Sequence, residues 1–507
     1  MRLSELSAHV SAASFRGDRD PGISYVSYDS RSVPLGSIFV AVTGFKADGH
    51  EFLNQALDSG AAALALQADR EAKWLPILTE SRTPALIVPD TRAALAQIAA
   101  ALSGFPARRL RMIGVTGTDG KTSLSHLLHH VLSSAGEKAG LISTAECWVG
   151  DQVLPDTGRF TTPEAPEVQQ MLSQMEEAAC RWAVIEATSH GLYLHRVDEC
   201  DFDIAVFTNL YPDHIDFHQT LEGYVNAKGR LFSMLDSAVH KGLEKAAVLN
   251  ADDPSSDRFR SLTRARIITY GFHSGADVIA EDIAPAGWGS RFLLRAFGQE
   301  CEARMTVPGE FNISSALAAY AVAHAAGLDA AGAVDAIAAW RGAPGRMQFV
   351  DAGQPFTVLV DFAHAPESLR RVLILMRERS RGRIIAVFGC IGERDRERRY
   401  RMGQVAAESA DYTIVTDDNP YSEDRDAIID EIARGLREAG KREGHDFAVI
   451  PDRREAIDQA IGMAVDGDAV LLAGKGHERE VHLPDATYPC HDPSMAREVL
   501  RDLGYAR

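Results

Sequence analysis

Residues 111–134 constrain the fold more than any other part of the chain. Arg111-Met-Ile-Gly-Val115 reads as a buried strand, Gly114-Val-Thr-Gly-Thr-Asp-Gly-Lys-Thr122 as a glycine-rich turn, and Lys121 to Ser134 as an amphipathic helix. A buried strand that passes through glycines into a helix needs a helix-covered sheet around it, so a mostly parallel α/β domain is predicted. The turn also has the residues of a phosphate loop. Its glycines let backbone amides approach phosphate oxygens, and the helix start adds positive potential. Lys121 supplies a point charge for the β- and γ-phosphates, and the Thr122 hydroxyl can ligate Mg²⁺. One irregularity stands out: the position where the usual pattern has its first glycine is Val115, with glycines at Gly114 and Gly117 instead. ATP binding is predicted, but the loop alone does not separate a kinase from an ATPase or a ligase.

Further apolar runs have the length of buried strands: Ser37–Val42, Trp182–Glu186, Ile204–Thr208 and Ala247–Asn250. Breaks fall near Phe105-Pro106-Ala-Arg-Arg109 and at Arg341-Gly-Ala-Pro-Gly345. After the second break the alternation restarts with Val358–Val360, Ile384–Phe388, Tyr412–Thr416 and Ala469–Leu472, a doubly wound pattern. Three domains are therefore expected: an N-terminal α/β domain over 1–108, a central phosphate-loop domain over 109–343 and a C-terminal Rossmann-like domain over 344–507.

The formal charge is −18, from 53 basic and 71 acidic residues, which argues against broad binding to nucleic acid or an anionic membrane. No run approaches the ~20 apolar residues of a membrane span. The six cysteines are far apart and form no C-x-x-C, so free thiols in a reducing cytoplasm are expected.

Glu186-Ala-Thr-Ser-His-Gly191 and Thr208-Asn-Leu-Tyr-Pro-Asp-His214 each begin at a strand end. In a parallel sheet both ends lie on the ligand-binding edge, where a carboxylate and an imidazole can hold Mg²⁺ beside nucleotide phosphates. The string Asp213-His-Ile-Asp-Phe-His218 has residue types that zinc also uses, but no cysteine lies nearby and a hard cation already accounts for it. Lys228, on a helix in Tyr224-Val-Asn-Ala-Lys-Gly-Arg230, reads on its residues alone as a solvated surface lysine.

The ordered set of motifs resembles the Mur ligase family, and within it the UDP-N-acetylmuramoyl-tripeptide synthetases. The match runs over nearly the whole chain: Asp29-Ser-Arg31, Gly49-His50, Gly117 to Thr122, Thr161-Thr-Pro163, Glu186 through Arg196, Asp213-His214, Lys228, Asn250-Ala-Asp-Asp253, Gly309-Glu-Phe-Asn312, Pro344-Gly-Arg346, Asp361-Phe-Ala-His364, Asp418-Asn-Pro420 and Gly474-Lys-Gly-His-Glu478. The resemblance implies an ATP-dependent ligase that adds a diamino acid to UDP-N-acetylmuramoyl-L-Ala-D-Glu, in the cytoplasm, during peptidoglycan precursor synthesis. It implies an acyl phosphate intermediate and a monomer that neither inserts into membranes nor binds nucleic acid. ATP would be held by Gly117, Thr118, Asp119, Gly120, Lys121, Thr122, Ser123, Asn312, Arg346, Asp361 and His364. Lys121, Glu186, His214 and Lys228 would be catalytic. Two Mg²⁺ ions are implied, with Thr122, Glu186, His214 and a CO₂-derived carbamate on Lys228 as ligands. Ser30, Thr161, Thr162, Thr188 and Arg196 would contact the UDP-substrate, and Arg394, Asp418, Asn419, Tyr421, Gly474 and Glu478 the amino acid.

The informative departure is Tyr421. Family members that use meso-diaminopimelate carry an arginine after Asn-Pro, and tyrosine cannot make its bidentate contact to a distal carboxylate. Lysine or ornithine is therefore expected, with Glu478 near the side-chain ammonium. Diaminopimelate stays open if Arg398 or Arg399 takes over that contact. Asp119 and Ser315 stand where asparagine is common. A folylpolyglutamate-type ligase is argued against by the long N-terminal domain, a P-loop kinase by the third domain, and a non-catalytic nucleotide-binding regulator by the presence of Lys121, Glu186, His214 and Lys228 together.

Overall fold

The computed structural model describes residues 1–44, 47–154, 160–393 and 395–505. The chain divides into two compact units. The first comprises Met1–Glu281, Leu293–Glu302 and Ser314–Ile337; the second comprises Asp282–Phe292, Ala303–Ile313 and the chain from Ala338 onward.

The first unit holds two sheets. The N-terminal one has five strands in the order Ser14–Arg16, Ala85–Val88, Ala63–Gln67, Ser37–Val40, Tyr25–Ser27. All its pairings are parallel except that of Ser14–Arg16 with Ala85–Val88. The strands Ser37–Val40, Ala63–Gln67 and Ala85–Val88 are almost wholly buried, which is why they read as unbroken apolar runs. The helix Thr91–Leu102 covers one face, and its start is capped by the Asp90 carboxylate accepting from the Arg92 and Ala93 amides.

The centre of the second sheet runs Ala246–Asn250, Ile204–Phe207, Arg111–Thr116, Trp182–Glu186, Ala139–Ile142, all parallel. Register is what builds the site. Glu186 pairs with Val115 and Phe207 with Thr116, so three strands end on one edge beside the glycine-rich turn. The helix Leu221–Ser237 packs on this sheet through Tyr224, Val225, Ala227, Leu231, Phe232 and Leu235, with Phe232 stacked on Phe259 at 5.0 Å. Each of the larger of these buries ~1.5–3 kcal/mol of transfer free energy.

The second unit contains a six-stranded sheet in the order Gln348–Phe349, Thr357–Asp361, Ala469–Ala473, Ile384–Phe388, Tyr412–Val415, Phe447–Val449. Only Gln348–Phe349 is antiparallel. A short hairpin, Glu480–His482 with Thr487–Pro489, follows the strand Ala469–Ala473. Among the described residues no helix is long and apolar enough to cross a membrane, and all six cysteines are free.

Candidate active site

The turn between Thr116 and Lys121 is fixed from below by the segment after Phe207. The Thr118 amide donates to the Asn209 carbonyl at 2.8 Å, the Asp119 amide to Asn209 Oδ1 at 2.9 Å, and Thr208 Oγ1 to the Asp119 carbonyl at 2.6 Å. The Tyr211 hydroxyl donates to the Asp119 carboxylate. Gly117 has φ +152°, and a Cβ there would lie 1.8 Å from Thr208 Oγ1, so only glycine allows this approach. Gly114 is different: it lies in the strand and makes room for Phe202 and Leu231. The early glycine that makes the motif irregular is thus a packing residue, and Gly117 and Gly120 shape the turn. The amides of Lys121, Thr122 and Ser123 are the orphan donors of a helix start, suited to phosphate oxygens. Lys121 Nζ donates to the Thr118 carbonyl at 2.9 Å.

Glu186 is the hub. It is 2% exposed and faces no cation among the described residues. Instead its carboxylate accepts from Thr122 Oγ1 at 3.0 Å, Ser143 Oγ at 2.8 Å, and the amide and hydroxyl of Thr144, both at 3.0 Å. Thr144 Oγ1 also reaches Thr161 Oγ1 at 3.0 Å. Thr162 Oγ1 bonds the Glu186 carbonyl at 2.7 Å and lies 3.0 Å from Thr188 Oγ1, which caps the helix Ser189–Tyr193. Arg196 Nη1 donates to the Thr162 carbonyl at 2.9 Å. One network therefore joins Thr122 of the phosphate loop to Thr161, Thr162, Thr188 and Arg196. Ser30 joins no hydrogen bond of this network among the described residues; it is buried and donates to Gln55 Oε1 at 3.0 Å.

Lys228 is not a surface residue. It is 1% exposed, its Nζ donates to the Gly117 carbonyl at 2.5 Å, and it lies 4.5 Å from the Tyr224 ring centre. Burial, reinforced by the Lys121 charge, pushes its amine well below the usual lysine range. The sequence did carry a signal: Tyr224, Lys228, Leu231 and Leu235 share one buried helix stripe. His214, half-exposed at φ +51°, is 3.4 Å from Asp213 and lies edge-on to His190. Burial lowers the imidazoles of both, that of His190 to about 4 with the His214 and His218 charges adding to it.

Among the described residues no set of three His, Cys, Asp or Glu side chains could hold a metal ion. Mg²⁺ binds through one or two protein oxygens, water and substrate phosphates. A buried carboxylate without a counter-charge beside a loop threonine fits such an ion. Lys228 is buried against the Gly117 carbonyl, and burial moves its amine toward the neutral form, with the charges of Asp213 and Asp119 opposing that shift.

In the second unit, Asp361 Oδ2 accepts the Met347 amide at 2.8 Å, and Arg346 lies over the Phe362 ring at 4.3 Å. His364 Nδ1 donates to the Phe362 carbonyl at 2.8 Å, and burial with the Arg398 charge lowers its imidazole to about 4. Asn312 is buried and bonds the Pro308 carbonyl at 2.7 Å. Asp418 and Asn419 are 1% and 2% exposed at the end of the strand Tyr412–Val415. Fully buried Lys475 donates to Glu478 Oε2 at 2.8 Å and Asn419 Oδ1 at 3.2 Å, and faces Asp418 at 3.5 Å. Gly474 (φ +99°) leaves Asp418 Oδ2 open: a Cβ there would come within 3.1 Å of it. Tyr421 stacks on His482 at 5.7 Å and 10°, and its amide donates to the His482 carbonyl at 3.0 Å. Arg394 lies outside the described residues. Ser143, Thr144 and Lys475 are the members sequence reading missed.

A phosphate-loop-like turn and a carboxylate-centred network thus share one sheet edge, the arrangement of a nucleotide-using α/β enzyme. Three family models match: "Mur ligase family, catalytic domain" over residues 22–102, "Mur ligase middle domain" over 115–323, and "Mur ligase, glutamate ligase domain" over 345–476. The chain is 44% identical to a UDP-N-acetylmuramyl-tripeptide synthetase of Roseiflexus sp. (strain RS-1), over 100% of both chains. It is 39% identical to a UDP-N-acetylmuramoyl-L-alanyl-D-glutamate--2,6-diaminopimelate ligase of Bacillus licheniformis, over 99% of this chain and 100% of that protein. A solved structure of another ligase with that second name superposes with TM-score 0.66 at 32% identity, covering 95% of each chain. The chain belongs to the Mur ligase family, with its three-domain α/β architecture, and is of the tripeptide-synthetase type.

Proposed function

We propose that the chain joins a diamino acid to the D-Glu carboxylate of UDP-N-acetylmuramoyl-L-Ala-D-Glu, with lysine or ornithine as the amine. The observation that carries the reading is the Glu186 network, which ties Thr122 of the phosphate loop to Thr161, Thr162, Thr188 and Arg196. Such a network would serve a nucleotide and a second, anionic substrate from one sheet edge.

A carboxylate is a poor acyl donor. Its oxygen attacks the γ-phosphorus, the bond to ADP breaks, and an acyl phosphate forms. The amine nitrogen then attacks the acyl carbon, the C–O bond to phosphate breaks, and phosphate leaves as the amine gives up a proton. Lys121 and the first-turn amides neutralise charge on the transferring phosphoryl group. Glu186 and Thr122 would hold one Mg²⁺, and His214 with carbamylated Lys228 a second. When bound, these ions supply positive charge to phosphate oxygens. From the resemblance, Arg346, Asp361, His364 and Asn312 would also contact ATP, and Asp418, Asn419, Gly474 and Glu478 would receive the amino acid.

Tyr421 supports an amine without a distal carboxylate. So does Arg399, which is 1% exposed and ion-paired to Glu423 and Glu431; Arg398 gives one N–H to the His364 carbonyl and keeps others. Glu478 is already shared with Lys475 and Asn419, so it is only partly available to a substrate ammonium. The names of relatives near 39% identity favour meso-diaminopimelate as a second reading. The test is phosphate release with ATP, Mg²⁺ and UDP-N-acetylmuramoyl-L-Ala-D-Glu. Release that requires both the nucleotide-peptide and an amino acid supports the ligase; release without an amine, or a stable phosphorylated product, overturns it.

A further inference from the structure

Two arginines and two glutamates meet where the helix Thr91–Leu102 of the N-terminal sheet packs against the helix Ala165–Glu177. Arg196 is 7% exposed, and Phe160 lies over its guanidinium at 4.7 Å. Nη2 donates to Glu164 Oε1 at 2.6 Å and Nη1 to the Thr162 carbonyl, while the buried Nε has no partner among the described residues. Other N–H groups of its fork remain for an anion. The second oxygen of Glu164 faces Arg92 Nη1 at 3.8 Å. Beside this relay the Tyr28 hydroxyl donates to Glu167 Oε1 at 2.8 Å, and Asp90, which caps the Arg92 helix, faces His195 at 3.7 Å.

We propose that Glu164 is a positioning residue that ties Arg196 to Arg92, so that seating the N-terminal sheet and aiming Arg196 at the nucleotide-peptide become one event. This rests on the function proposed above. Without Glu164, Arg196 hangs from one carbonyl, and two guanidinium groups face each other without their shared counter-charge. A charge-assisted bond of this kind is worth roughly ten- to a hundredfold in affinity.

The full chain is assayed by phosphate release, varying UDP-N-acetylmuramoyl-L-Ala-D-Glu and ATP separately, with calorimetric binding of the nucleotide-peptide alongside. Glu164→Gln should raise KM for the nucleotide-peptide by about tenfold or more and leave KM for ATP within about twofold. Glu164→Asp should recover part of the loss. Arg92→Gln should raise the same KM, and the double variant should be no worse than Glu164→Gln alone, because the two act through one relay. Both KM values rising together with a lower Tm, full additivity, or an unchanged KM overturns the proposal. If Glu164→Gln does not fold, Arg92→Gln decides. A wild type that neither binds nor turns over the nucleotide-peptide removes the underlying reading and the proposal with it. A wild type that does, with Glu164→Gln unchanged, overturns the proposal alone.

Discussion

Replacing Asp492 by Asn should destabilise the second unit by about 3 kcal/mol and weaken amino-acid binding at the same time. Arg453 and Asp492 are 1% and 0% exposed and form a bidentate pair at 2.7 and 2.6 Å. The same guanidinium donates to the Asp417 carbonyl at 2.9 Å and the Ala473 carbonyl at 2.8 Å. Asparagine keeps the shape but removes the counter-charge and turns an NH₂ toward the guanidinium. Losing one partner of a buried pair costs ~3–5 kcal/mol, and the low end applies because the two carbonyl contacts survive. By hydrogen exchange, amides of the strand Ala469–Ala473 should exchange about a hundredfold faster. The carbonyls that Arg453 holds immediately precede Asp418 and Gly474, so KM for the amino acid should rise while KM for ATP holds. Arg453→Met with Asp492→Leu avoids desolvating two charges but leaves the Asp417 and Ala473 carbonyls without their donor, so it should regain only part of the stability. An exchange change below about threefold for Asp492→Asn would refute the reasoning. So would equal acceleration in the strand Arg111–Thr116, which belongs to the other unit.

Two further outcomes are expected. Lys228→Ala should lower kcat at least about a hundredfold, with partial rescue by a short-chain carboxylic acid standing in for the carbamate; normal turnover would remove its proposed metal role. Burial pushes the Asp417 carboxyl up to about 6, against the Arg425 charge that pulls it down. The native state then binds more protons than the unfolded state between about pH 4 and 6, so stability falls as pH rises through that window. Asp417→Asn should remove that slope, which amounts to at most about 3 kcal/mol; urea melts at pH 4 and pH 6 with the same slope in both proteins would contradict it.

The parallel strands were legible because each is buried on both faces and reads as a continuous apolar run. The strand Trp182–Glu186 and the helix Lys121–Ser134 stand where the sequence puts them. Glu186 was legible as a strand-end acid, but Ser143 and Thr144 were not. Their place beside it follows from the pairing of Ile185 with Ile142, a register no local pattern encodes. Lys228 was misread because a lysine is usually solvated, although its stripe of Tyr224, Leu231 and Leu235 marked that face as buried. Lys475 and Arg453 act through carbonyls and acids up to 57 residues away in sequence, beyond any spacing rule.

The most direct measurement offers the wild-type protein ATP, Mg²⁺, UDP-N-acetylmuramoyl-L-Ala-D-Glu and equal amounts of lysine, ornithine and meso-diaminopimelate in one reaction, and reads the products by mass. The account predicts a tripeptide carrying lysine or ornithine, with the diaminopimelate product appearing only after Tyr421→Arg. A wild-type product carrying diaminopimelate would contradict it.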